Sequence, residues 1–277
     1  MDVIVDGLTF AEGPRWRDGA LWFSDFYSHR VLRVDIGGYV DVVAEVPQRP
    51  SGLGWTPDGT LLIVSMLDRR LMRLDGDKLS VVADLSALAT GPCNDMVVDA
   101  KGRAYVGNFG FDRHRGEPEK PACIARVDPD GRVTRAADDL LFPNGTVVTD
   151  DGRTLIVAET LGHRLTAFDV AADGSLSNRR VFARLAGVFP DGICLDAEGA
   201  VWVADARTPR VVRVFEGGRI ERTISTGDRC AFACMLGGLD RTTLFICTNF
   251  ASGPAVADKR DGRIEAVAVD VPGAGLP

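Results

Sequence analysis

Six positions in the chain recur at a fixed distance ahead of a turn. Counting eight residues back from Gly59, Gly102, Gly152, Gly199 and Arg241 reaches Ser51, Asn94, Asn144, Asp191 and Ala233, and seven back from Gly19 reaches Glu12. The flanks agree: Glu12-Gly13-Pro14, Pro50-Ser51-Gly52, Pro92-Cys93-Asn94-Asp95, Pro143-Asn144-Gly145 and Pro190-Asp191-Gly192. Singly, Asn-Gly and Asp-Gly are ordinary turn dipeptides, and a preceding Pro reinforces the turn. In common register they mean more. Two carboxylates and two amide oxygens that meet at one point repel or compete for donors unless a cation compensates, and a divalent ion with oxygen ligands is the natural occupant. Glu12, Asn94, Asn144 and Asp191 are therefore the expected metal quartet. Ser51 reads as a pocket-wall residue, and Ala233 has no ligand atom to offer.

Residues roughly 40 apart can meet only if the elements that carry them repeat. A turn followed by an apolar strand does recur, as in Asp58-Gly59-Thr60-Leu61-Leu62-Ile63-Val64 and Asp151-Gly152-Arg153-Thr154-Leu155-Ile156-Val157. The second turn positions fall at 19, 59, 102, 152, 199 and a degenerate 241, spaced by 40, 43, 50, 47 and 42. An alternating strand trails each copy, for example Arg30-Val31-Leu32-Arg33-Val34-Asp35 and Arg70-Leu71-Met72-Arg73-Leu74-Asp75. A period of about 40–50 residues with about four strands per unit is the mark of a β-propeller. The prediction is an all-β, six-bladed β-propeller, with about four antiparallel strands per blade around a central channel, in a single domain over 1–277. Loops before the innermost strands would converge at one mouth of that channel. The longest unit holds a charged stretch, residues 111–120, that reads as a surface loop between strands; such an insertion can cover a binding mouth, though most are simply solvated.

The remaining composition removes other classes. At 45% hydrophobic the chain is too apolar to be disordered, and its longest apolar runs, such as residues 61–64, fall far short of the ~18 residues of a membrane helix. With 32 basic against 39 acidic side chains (formal charge −7), neither nucleic acid nor membrane is expected as a partner. The three histidines are His29, His114 and His163; the first and last share one slot of the repeat, which sets aside a Ser-His-Asp relay or a His-rich zinc site. The six cysteines sit mostly in apolar runs and read as free buried thiols. The N-terminus shows no basic n-region or apolar h-region, so a cytoplasmic location is expected.

With these motifs the chain resembles the SMP-30/gluconolactonase/LRE family over essentially its whole length. The resemblance rests on Glu12-Gly13-Pro14-x-Trp16, Asn94-Asp95, Pro143-Asn144-Gly145 and Pro190-Asp191-Gly192. It implies a six-bladed propeller that hydrolyses lactones with one divalent metal, Ca²⁺ first and Zn²⁺, Mn²⁺ or Mg²⁺ as other candidates. By the same resemblance Glu12, Asn144 and Asp191 are the metal ligands, and Asn94 contacts substrate or a metal-bound water. Sugar lactonases of the family commonly carry an Arg two residues before that Asn; here Pro92 stands there, which points away from sugar lactones and toward a less polar lactone or ester. The expected chemistry is metal-assisted ring opening with Asp191 as general base, Asn94 and Ser51 facing the substrate, and Asp95 behind them. Two other readings stand beside it: a non-catalytic metal- or ligand-binding propeller, and an esterase or organophosphate hydrolase using the same metal site. The expected partner is a small lactone or ester, and the expected assembly is a monomer or small homo-oligomer.

Overall fold

The structure is a computed structural model that describes residues 1–276; the side chain of His114 and Pro277 lie outside the described residues. Its strands form six small antiparallel sheets, the six blades of a β-propeller, with no α-helix among the described residues. Blade 1 runs Ala11–Arg17, Ala20–Asp25, Arg30–Asp35 and Val40–Glu45 from the axis outward. Blades 2 to 5 repeat that order from inner strands Pro50–Trp55, Cys93–Val98, Pro143–Val148 and Pro190–Asp196. Blade 6 takes its inner three strands from Cys230–Gly237, Thr243–Asn249 and Gly262–Ala268. Its fourth strand is the N-terminal Asp2–Leu8, which pairs with Gly262–Ala268 and closes the ring by joining the two ends of the chain.

Hydropathy grades from axis to rim. The inner strands Pro143–Val148 and Pro190–Asp196 are buried at every position, whereas the outer strand Ile220–Ser225 alternates between exposed and half-buried. That is why the sequence shows continuous apolar runs for some strands and alternation for others. The predicted two-residue turns lie between first and second strands. Arg241 holds the sixth in the left-handed region at φ 60°, where the other copies have Gly. His29 and His163 occupy matching turns before the third strands, and their carbonyls accept from the amides of Val46 and Leu185. At the far end of the channel, the C-terminal segment pairs Gly273 and Ala274 with Asp196 and Leu195, and Leu276 bridges to Val148.

One feature of the inner strands decides where the column residues point. Each carries an extra residue relative to its partner strand, as in Glu12↔Ser24 followed by Arg15↔Trp22, or Pro190↔Asp205 followed by Ile193↔Val203. The same irregularity falls at Pro50/Leu53, Cys93/Met96, Pro143/Thr146 and Ala231/Ala233. Such bulges re-aim side chains and sharpen twist. The sequence reading put the column in loops ahead of the strands. In the structure Glu12, Ser51, Asn94, Asn144 and Asp191 are each the second residue of an inner strand, at the start of the bulge.

A second column, which the sequence reading missed, ends the second strands: Asp25, Ser65, Asn108, Glu159, Asp205 and Asn249, all buried. Several pin the chain that enters the inner strand. Asp25 accepts from the amides of Thr9 (3.0 Å) and Phe10 (2.7 Å), Glu159 from Leu141 (2.8 Å) and Asp205 from Phe189 (3.2 Å). Glu159 also takes two bonds from Arg164 (2.8 Å each) and one from the Thr166 hydroxyl. Burial works to raise its pKa, but these donors outweigh it and hold the carboxyl below its ordinary value. A depressed carboxylate contributes stability that is present above the unfolded pKa, about 4.3, and is lost as pH falls through the folded value. Glu159→Ala, which orphans several donors, is expected to cost about 3 kcal/mol in urea unfolding at pH 7. Glu159→Gln is expected to flatten the acid limb of the stability curve; an unchanged acid limb would contradict this role.

Candidate functional site

The inner strands approach one another so closely at the axis that the residue after each column position is nearly forced. A Cβ on Gly145 would stand 2.5 Å from the Ile193 amide nitrogen, and one on Gly192 would stand 2.4 Å from the Ala233 Cβ. The Gly of Pro-Asn-Gly and Pro-Asp-Gly thus serves close packing of neighbouring blades, not a turn. Blade 3 has Asp95 at this place. Its carboxylate pairs with the buried Arg15 of blade 1 at 2.6 Å, and Arg15 also donates to the carbonyls of Leu53 (2.9 Å) and Met96 (2.7 Å). One guanidinium therefore ties three blades.

Above this packed layer lies a pocket of about 200 Å³. Glu12, Asn94, Asn144 and Asp191 all line it, so the structure brings the predicted quartet together from blades 1, 3, 4 and 5. Ser51 and Asp95 do not line it. Ser51 is buried, with its carbonyl accepting from Ser24 Oγ at 2.6 Å, and Asp95 faces Arg15. Blade 6 contributes Phe232 and not Ala233, the residue its column position pointed to. The sequence count ran from a degenerate turn and landed one residue past the side chain that the bulge turns inward.

The electrostatics of the quartet are those of an uncompensated acidic site. Glu12 (9% exposed) and Asp191 (7% exposed) have no ion-pair partner among the described residues. Glu12 accepts only from its neighbour Gly13 N at 3.1 Å, and Asp191 Oδ1 is buried without any hydrogen-bond partner. Burial raises the pKa of Glu12 first, then the charges of Asp191 and Asp95 add to it. Burial also raises Asp191; Arg113 and an Asn144 hydrogen bond oppose it, while Asp95 and Asp205 add to it. The amides are turned so that nitrogen faces protein. Asn94 Nδ2 donates to the Pro143 carbonyl at 3.3 Å and Asn144 Nδ2 to Thr160 Oγ1 at 3.2 Å, which leaves both Oδ1 atoms without a protein donor. An orphaned carboxylate oxygen, a second buried carboxylate and two free amide oxygens are a hard-cation donor set. Glu12, Asn144 and Asp191 are the residues that would hold the ion. Among the described residues no group of three or more His, Cys, Asp or Glu is arranged for a metal, so any ion here depends on the amide oxygens.

The pocket wall is aromatic, a feature the sequence reading missed. Phe10, Phe26, Phe109, Phe142 and Phe232 cluster around the mouth; Phe10 lies 4.7 Å from Phe232, and Phe109 stacks on Phe142 at 4.4 Å. A signal was present: Phe10, Arg49, Phe142 and Phe189 each stand two residues before a column position and all line the pocket. The charged insertion reaches the same mouth through Phe111, Arg113 and Glu119.

The sequence profile of the SMP-30/gluconolactonase/LRE-like region matches residues 10–250. The chain belongs to this family. Zebrafish (Danio rerio) regucalcin is 27% identical over 271 residues, covering 92% of this chain and 88% of its own. The 6-deoxy-6-sulfogluconolactonase of Pseudomonas putida is 27% identical over 284 residues, covering 99% and 96%. Among solved structures, a calcium-binding protein, regucalcin, from Agrobacterium tumefaciens superimposes with a TM-score of 0.83 at 22% identity, over 99% of this chain and 95% of that one. The family thus includes lactone hydrolases, and its shared fold is the propeller described above.

The raised carboxylates give a pH dependence. In the window from the unfolded values near pH 4 up to the raised folded values, the native state binds more protons, so stability falls as pH rises. The metal-free protein is expected to melt higher at pH 5.5 than at pH 7.5. Asp191→Asn is expected to remove much of that slope, read by differential scanning calorimetry in EDTA; a slope that is absent in the parent or intact in the variant would contradict the assignment.

Proposed function

We propose that the protein opens the ring of a lactone by hydrolysis, with one divalent cation, calcium first, held by Glu12, Asn144 and Asp191. The observation that carries this reading is the buried, unpaired couple Glu12 and Asp191, sharing an aromatic pocket with two free amide oxygens in a chain of a lactonase-containing family. The names of the P. putida lactonase and the calcium-binding regucalcin support the reaction class and the ion. A cation bound there supplies positive charge to polarise the carbonyl and to stabilise the oxyanion.

The chain's own residues do the rest. Asp191 takes a proton from the attacking water at Oδ1, the atom with no internal donor. The water oxygen bonds to the carbonyl carbon, the ring C–O bond breaks, and the proton passes to the departing ring oxygen, giving a hydroxy acid. Asn94 orients water and substrate from blade 3. Asp95, locked to Arg15, fixes the strand that presents Asn94, and the Ser51 carbonyl, accepting from Ser24 Oγ, ties the inner strand of blade 2 to the second strand of blade 1. Pro92 in place of an Arg, together with the phenyl wall, fits a substrate with an apolar body. Six unpaired cysteines, five of them buried, support a reducing, cytoplasmic setting.

Hydrolysis of a lactone panel, followed with a pH indicator, tests the reading. EDTA is expected to abolish turnover and calcium to restore it. Asp191→Asn and Glu12→Gln are each expected to lower kcat/KM by about 10³-fold or more. Calcium binding by calorimetry without hydrolysis of any lactone or ester would instead establish a binding propeller.

A further inference from the structure

Three arginines, Arg49, Arg113 and Arg207, line the pocket, and none has an ion-pair partner among the described residues. Three buried guanidinium groups elsewhere are matched, Arg15 by Asp95, Arg103 by Asp99 and Arg213 by Asp196, while the buried Arg229 donates to the Asp261 carbonyl. The pocket arginines instead rest on rings, at 4.4 Å from the Tyr27 centroid, 5.9 Å from Phe142 and 5.4 Å from Phe189. A ring face steadies a cation but accepts no strong hydrogen bond from its N–H groups.

Arg49 stands apart from the other two. Arg113 and Arg207 are exposed at the rim, whereas Arg49 is half-buried and its Nε is enclosed with no hydrogen-bond partner. Its backbone sits in the left-handed region at φ 73° and is held there on both sides, its amide donating to Val46 O (2.9 Å) and its carbonyl accepting from Met66 N (2.8 Å). Strain of this kind persists only where the surroundings enforce it. The position is the one that Phe10, Phe142 and Phe189 hold in other blades, so a single guanidinium is set among phenyl rings. The pocket's acids are Glu12, Glu119 and Asp191, equal in number to its arginines. Once Glu12 and Asp191 are neutralised by a divalent cation, the remaining charge facing a substrate is positive.

We propose that the substrate is a lactone whose ring bears a carboxylate, with that carboxylate seated on Arg49 and the apolar body against the phenyl wall. The inference deepens the hydrolase reading and rests on it for the reacting group. Among the described residues the Arg49 side chain makes no hydrogen bond or ion pair, so a neutral lactone would leave its terminal guanidinium nitrogens without an anion, whereas a carboxylate meets them with charge-assisted bonds. Arg113 and Arg207 at the rim draw the anion in.

Two measurements test the proposal independently of one another. The first is binding of phenylacetate and of its neutral counterpart phenylacetamide to the calcium-loaded protein, by calorimetry. Phenylacetate is expected to bind about tenfold or more tighter, and Arg49→Met, checked for an unchanged circular dichroism spectrum, is expected to erase the difference. Equal binding of the two in the parent protein overturns the proposal, and so does a preference that Arg49→Met leaves intact, because a carboxylate sitting on the cation alone would not depend on Arg49. The second is kcat/KM for a five-membered lactone with a carboxymethyl substituent against its N-methylamide. The acid is expected to be preferred about tenfold or more, and the ratio is expected to approach one in Arg49→Met. Turnover of both lactones at equal rates overturns the proposal and leaves the hydrolase reading standing. Arg49-dependent binding of phenylacetate without turnover of either lactone upholds the anion seat and removes the hydrolase reading.

Discussion

The close approach of six inner strands around one axis governs everything above it. A packed ring leaves room for backbone but little for side chains, so Gly145 and Gly192 follow their column residues, and Arg15 is threaded between three blades with Asp95 as its counter-charge. The extra residue in the inner strands turns Glu12, Asn94, Asn144 and Asp191 away from that crowded layer and toward the mouth, while Ser51 stays buried. Glu12 and Asp191 are carried into a place that water barely reaches, and among the described residues no basic side chain forms an ion pair with either. Desolvation of two carboxylates is unfavourable by several kcal/mol in general, and the strands that impose it are held by the closure of the ring itself, N-terminal strand on blade 6.

The mouth is organised by a different set of groups. Asp25, Glu159 and Asp205 end second strands and accept from the amides of Phe10, Leu141 and Phe189, the chain just ahead of the inner strands. Buried carboxylates here are well supplied with donors, in contrast to Glu12 and Asp191. The protein thus separates two uses of acidic residues on adjacent strands. One set is satisfied internally and fixes the aromatic wall. The other is left unsatisfied and faces the pocket.

Much of this was legible in the sequence, and the limits have physical causes. The 40–50 residue period gave the propeller, because each blade needs the same turn and the same apolar strand to pack on its neighbours. The register of the column gave Glu12, Asn94, Asn144 and Asp191, because equivalent positions in a ring converge. The placement of the column in loops was inexact, since a bulge inside a strand looks like a turn when Pro and Gly flank it. The Asp95–Arg15 pair spans 80 residues of sequence and joins blade 3 to blade 1, so no local pattern announces it. Phe232 was missed because the sixth turn is degenerate; Phe10 and Phe142 share a register two residues before the column, but Phe26 and Phe109 come from other loops, so the wall as a whole follows no single motif. The N-terminal strand belongs to the last blade only through closure, which a repeat count cannot see.

The division between inner-strand ends and the loops before them bears on how one fold serves different substrates. The donor set sits on strands fixed by contacts with both neighbouring blades, where substitution is costly. Phe10, Arg49, Phe142 and Phe189 sit two residues earlier, where the chain is tied mainly through its backbone and side-chain identity is freer. Pro92 and Arg49 occupy the same place in adjacent blades. An arginine moved by one blade keeps its depth in the pocket but changes its angle around the axis relative to Asp191. On the proposed reading, the charge that meets the substrate can therefore migrate around the ring while the column residues stay where the strands hold them. On that reading the residues two places before the column, more than the column itself, would set specificity.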